Sequence, residues 1–270
     1  MSKKYYVILI STLAVILIII GLIFRKEENY TIKDFDEIKE SGVIRIVTDY
    51  NSVGYFVSGD TIAGFNYELI NLLVNSFSLK AEIALESNLE KSIKGIQTGR
   101  YDLLAQTLPI TTESKKELRF TEPILQNRQV LVQRKKEYNE DIEPLRSHLD
   151  LAGKTLFVSL NSPAILRIQN LSHEIGDSIY IREDSLYGPE QLIMKVAAKE
   201  IDYAVCDEKI ASTVAEDIPE VDYKTSIGFT HLEGWAVNQN STILLDSLNH
   251  WIKKLKQTKE YKNLYNKYYK

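Results

Sequence analysis

The chain has 270 residues, 33 lysines and arginines against 37 aspartates and glutamates, a formal charge of −4, and one cysteine. Acids and bases are interspersed, so no basic stripe exists to track a phosphate backbone, and nucleic acid is excluded as a partner. Cys206 alone builds neither a disulfide framework nor a thiolate cluster, and His148, His173, His231 and His250 lack the spacing of a metal site, so no metal or cofactor is expected.

In chain order, residues 5–24 read YYVILISTLAVILIIIGLIF without a charge. At about 1.5 Å rise per residue, a helix of that length spans the ~30 Å apolar core of a bilayer. A cleaved signal peptide would carry a shorter apolar region, about 7–15 residues, and a small-residue exit. Here the exit is Leu22-Ile-Phe-Arg25, and no nearby cysteine offers a lipid anchor. Residues 1–26 are therefore expected to be a cytoplasmic stub and a single transmembrane signal anchor.

Beyond the tether, 31–42 carries helix punctuation, with Thr31 as cap and Gly42 as stop, and Val43–Val47 alternates as a strand. The rhythm then repeats. Helices are expected over 64–76, 89–98, 163–171 and 189–199, and the last long segment, 243–268, has leucines and aromatics at helical spacing. Strands are expected over 81–85, 101–105, 129–133, 154–158 and 201–205. Alternation of this kind implies α/β layers around parallel sheets. Cys206 reads as a small buried hydrophobe at the end of the last strand, and Trp235 as core.

Several phrases together resemble the extracytoplasmic solute-binding proteins of family 3: "EIKESGVIRIVTDY", "IAGFNYELINLL", "GRYDLLAQTLPITTESKKELRFTEPI", "DLAGKTLFVSLNS" and "AAKEIDYAVCDEKIA". "VLVQRK" and "EIDYAVCDEKIA" are most similar to the sensor module of the membrane-bound lytic murein transglycosylase F family. That family adds a lysozyme-like domain, which is not expected here because the sequence stops at Lys270. The resemblance implies a two-lobed periplasmic-binding-protein-like fold of type II. Lobe 1 would run over 27–134 and return over 229–270, and lobe 2 would run over 135–228, with crossings near Gln133–Lys136 and Ser226–His231.

Ligands of open α/β sheets lie outside the carboxyl ends of strands. Asp207 ends a strand and is expected to point there, with a helix N-cap as its competing role. The resemblance gives it a ligand's ammonium group, and gives Gln106, Thr107 and Leu108 backbone and hydroxyl contacts. It implies aromatic contacts from Tyr50, Tyr55 and Phe56, with Asn51 in the same loop; packing of Tyr55 or Phe56 against the lobe is the alternative. Asn161 and Ser162 precede a helix whose N-terminus suits an anion, or Ser162 simply caps it before Pro163. Ser114 stands where the family carries an arginine that clamps a carboxylate, so the guest departs from a free α-amino acid or the site is weakened.

The expected function is membrane-anchored, extracytoplasmic binding of a small amino-acid-like or peptidoglycan-derived ligand, at the bacterial inner membrane, for uptake or sensing. A transporter or a cell-wall enzyme would be its protein partner. An interaction module of cell-wall turnover and a murein lytic enzyme are the alternatives. The enzyme would need a carboxylic acid in a substrate groove, and Glu68, Glu122 and Glu190 read instead as helix-start or hinge residues.

Overall fold

A computed structural model describes residues 30–269. The apolar run 5–24 lies outside them. Among the described residues, no helix is long and apolar enough to cross a membrane.

Helix α1 (Phe35–Ser41) starts later than the sequence suggests, because Asp34 rather than Thr31 caps it. The Asp34 carboxylate accepts from the Phe35 N–H at 2.8 Å, and Glu37 reaches back to the Asp34 N–H at 2.6 Å. That reciprocal pair satisfies donors a helix start leaves open. Gly42 ends the helix at φ 69°, where a side chain would be strained.

The first lobe continues with β1 (Val43–Thr48), the hairpin β2 (Phe56–Ser58) and β3 (Thr61–Ala63), and α2 (Phe65–Phe77). Next come β4 (Lys80–Leu85), α3 (Leu89–Gln97), β5 (Leu103–Pro109), α4 (Ser114–Glu117), β6 (Arg119–Phe120) and β7 (Leu125–Asn127). The second lobe holds β8 (Gln129–Arg134), β9 (Thr155–Ser159), α5 (Ala164–Ile175), β10 (Tyr180–Asp184), α6 (Pro189–Ala197), β11 (Ala204–Asp207), α7 (Glu208–Ala215) and β12 (Val221–Ser226). The chain returns in β13 (His231–Val237) and closes with α8 (Thr242–Leu255) and α9 (Lys259–Tyr268). The helical segment 243–268 divides into two helices, because the Thr258 hydroxyl starts a new one by accepting from the Tyr261 N–H at 3.1 Å.

One sheet has the order β4-β1-β5-β13-β6, with β7 also on β13; the other has β10-β9-β11-β8-β12. β1 is parallel to β4 and β5, and β9 to β10 and β11. The sheets are mixed rather than wholly parallel: β13 runs antiparallel to β5, and β8 to both β11 and β12. These are the strands that follow a crossing. With no helix to carry the chain back to the starting edge, each enters its new sheet from the opposite end.

Arg128 alone separates β7 from β8, so the first change of sheet falls before Gln129. The expected crossing at Gln133–Lys136 lies within and just beyond a strand of the second sheet. All six residues of β8 are buried, as a central strand covered on both faces must be. The second change of sheet occupies 227–230.

Each lobe carries an arginine–aspartate pair. Arg45 donates its backbone N–H and its guanidinium to buried Asp102 at 2.5–3.0 Å. Arg134 bonds the Val196 and Ile201 carbonyls and Asp202, at 3.0, 2.8 and 2.5 Å. Trp235 is fully buried, stacks on Trp251 with centroids 6.4 Å apart, and donates its indole N–H to Asn66. Cys206 is buried and free in β11.

Candidate functional site

A cavity of about 440 Å³ opens between the carboxyl ends of β1 and β5 in one lobe and of β9, β10 and β11 in the other. Its walls are the loop 49–54 after β1, the end of β5, the loops after β9 and β10, the first turn of α7, and Tyr269. The volume suits a small organic molecule.

The structure brings Asp207, Gln106, Thr107, Leu108, Tyr50, Asn161 and Ser162 to this cavity. Asp207 sits at the N-cap of α7, yet its side chain makes no cap bond and accepts instead from the Gln129 amide. Tyr50 is exposed at the rim. Thr107 is hydrogen-bonded with the Tyr269 hydroxyl.

Three expected residues lie elsewhere. Tyr55 is buried edge-on against Tyr67 at 5.3 Å, and Phe56 packs on Tyr268 at 6.4 Å. Both rings cover the lobe, because the hairpin β2–β3 turns them away from the cavity. Ser114 exchanges backbone–hydroxyl bonds of 3.0 Å with Thr111 and donates to the Pro109 carbonyl at 3.1 Å. Its hydroxyl closes the turn that starts α4 and does not line the cavity.

At Asn161–Ser162 the structure shows the capping alternative. The Asn161 N–H already donates to Glu183 at 2.9 Å, the Ser162 N–H to Ser159 O at 3.1 Å, and the Ala164 N–H to the Ser162 hydroxyl at 3.3 Å. Pro163 has no N–H. The N–H groups of Asn161, Ser162 and Ala164 are thus used by the chain itself.

Acidic groups dominate the interior. Asp49, one residue past β1, accepts from Asn51 at 2.6 Å, while its other carboxylate oxygen is buried without a donor. Burial raises its pKa, partly offset by the Asn51 bond. Asp207 is pushed up to about 8, first by burial and then by the Glu233 charge. Glu233, fully enclosed on β13, is likewise raised to about 8 by burial, with the neighbouring Asn127 amide opposing the shift. His231 meets Glu233 at 2.9 Å, but burial lowers its pKa despite the attraction of Asp207. Asp207, His231 and Glu233 place one ligating atom each within 4.8 Å of one another, a trio able to hold a metal ion. The sequence spacing hides this trio, because Asp207 arrives from the other lobe.

Direct contacts join the lobes across the cavity. The Ser52 N–H donates to Glu190 at 2.8 Å, and Lys209 lies 5.9 Å from the Tyr269 ring centroid.

Residues 43–270 match the bacterial extracellular solute-binding proteins, family 3. The chain belongs to that family. Among curated proteins, this family member is 23% identical over 250 residues to the membrane-bound lytic murein transglycosylase F of Desulfosudis oleivorans, covering 93% of the chain and 54% of that protein. The same-named protein of Pseudomonas fluorescens Pf-5 is 24% identical over 238 residues, covering 87% and 47%. The chain therefore spans about half the length of the curated relatives it matches. Among solved structures, an ancestral arginine-binding protein bound to arginine superposes with TM-score 0.74 at 21% identity, covering 85% of this chain and 99% of that one. The solute receptor for L-cysteine of Neisseria gonorrhoeae gives 0.75 at 20% identity, covering 87% and 92%. These likenesses establish the two-lobed fold of the solute-binding family.

Proposed function

We propose that this family member is a membrane-tethered extracytoplasmic binding protein whose lobes close on a small, amino-acid-like or peptidoglycan-derived ligand, for uptake or sensing. The observation that carries the reading is the cavity at the carboxyl ends of both sheets, with Asp207 turned away from its helix cap and toward Gln129 at its wall. The ligand-binding set is Asp207, Gln106, Thr107 and Tyr50, joined by Asp49 and Tyr269. The arginine-bound neighbour and the L-cysteine receptor support an amino-acid-like guest. Relatives named for murein support a wall-derived one. The uncharged run 5–24 supports a single-pass anchor at the inner membrane with the lobes outside; alkaline carbonate washing of membranes that leaves the chain in the pellet is the expected result.

Thermal melting of the full chain in detergent against amino acids, amines, stem peptides and muropeptides tests the binding reading. A guest at one hundred times its dissociation constant stabilises by about 2.7 kcal/mol. A screen in which no compound moves the melt removes the reading.

A further inference from the structure

We infer that the guest of this cavity is an organic cation, an amine or guanidinium, that carries no free carboxylate. The inference rests on reading the cavity as a solute site and narrows what enters it.

The first observation is a shortage of hydrogen-bond donors. Acids and amides of the chain already occupy several backbone N–H groups of the cavity loops. Asn51 takes those of Val53 and Gly54 at 2.9 and 2.6 Å, and Asp184 takes those of Leu186 and Tyr187 at 3.0 and 3.1 Å. Glu190 holds Ser52 and Glu183 holds Asn161. Among the described residues lining the cavity there is no arginine, and the only cationic side chains are Lys91 and Lys209. A carboxylate entering here would meet four acids, Asp49, Glu86, Asp184 and Asp207, and no guanidinium to clamp it in exchange for its water.

The second, independent observation is a surplus of buried acceptors. Asp49 Oδ1 and Gln106 Oε1 are sealed from solvent at the cavity wall and make no well-formed hydrogen bond, although the Gln106 side chain lies close enough to the Asp49 carboxylate to favour its charged form. Behind them Glu233, 1% exposed, leaves Oε2 unpartnered within the trio that includes Asp207. Native interiors rarely leave such atoms unmet. A group bearing several N–H donors and a positive charge supplies what Asp49 and Gln106 at the wall lack, and charge-assisted bonds are the strong ones.

Calorimetry on the full chain in detergent micelles compares pairs that differ only in the carboxylate: 1,5-diaminopentane with L-lysine, and agmatine with L-arginine. The expected result is that the carboxylate-free member of at least one pair binds tenfold or more tightly than its partner. Asp207→Asn, its folding checked by melting, is expected to lose at least tenfold of that affinity; Asp49→Asn serves the same purpose if the first variant does not fold. Equal or tighter binding of the amino acids overturns the inference and leaves the cavity a solute site, as does binding of muropeptides alone. Heat from MnCl2 or ZnCl2 with none from the amines makes the trio a metal site and overturns it. Unchanged amine affinity in Asp207→Asn overturns it as well. Binding of nothing at all removes both readings.

Discussion

At the scale of single residues, Glu233 and Asp207 dominate the chemistry. Their carboxyls ionise near pH 4 in an unfolded chain but hold protons to about 8 in the fold. The folded state therefore binds more protons between those values, and stability falls as pH rises through that window. The melting temperature is expected to drop from pH 5 to pH 8.5, and Glu233→Gln should flatten that drop. Each kcal/mol recovered is worth ~2–4 °C at this size. Parallel pH profiles of parent and variant would refute the assignment. Of the site residues, Asp207 was legible because an aspartate directly after an apolar strand must emerge at its carboxyl end. Asp49 carries the same signal after β1. Glu233 carries no such signal, since β13 enters antiparallel and brings the amino-terminal half of the strand close to Asp207.

Among the elements, the loop 49–54 depends on a close approach of two backbones. Gly64 lies at φ 127°, and a Cβ there would stand 2.3 Å from the Gly54 carbonyl oxygen. Gly64→Ala must push the loop off α2, breaking the Phe65 N–H bond to Val53 O at 2.7 Å. A loss of about 1–3 kcal/mol is expected from strain of this kind, with weaker ligand binding; denaturant melts and calorimetry read both. At the base of the first lobe, Asp102 is 3% exposed and takes three bonds from Arg45. Asp102→Ala takes away the carboxylate that balances a partly buried guanidinium, and a cost of ~3–5 kcal/mol is expected. A urea midpoint within error of the parent would show the pair to be dispensable.

For the whole molecule, closure is the property that function needs. The Glu190 carboxylate, at the start of α6, holds the Ser52 N–H of the opposite lobe. Glu190→Ala removes a contact made only when the lobes meet, so closure costs more and the guest binds less tightly, by about tenfold for ~1.4 kcal/mol. Small-angle scattering of the ligand-free variant should give a larger radius of gyration than the parent. Identical radii and affinities would mean that the contact contributes nothing to closure.

The sequence by itself determined the α/β class, most element positions, the family and one strand-end carboxylate, because periodicity, helix punctuation and strand ends are local properties written within a dozen residues. Only the tertiary structure decided which strand crosses where, that Tyr55, Phe56 and Ser114 serve packing and a turn, and that Asp49, Asp207 and Glu233 meet. Those facts depend on segments far apart in the chain converging at a crossing, and on which donors are already taken once they do. No local pattern carries that information.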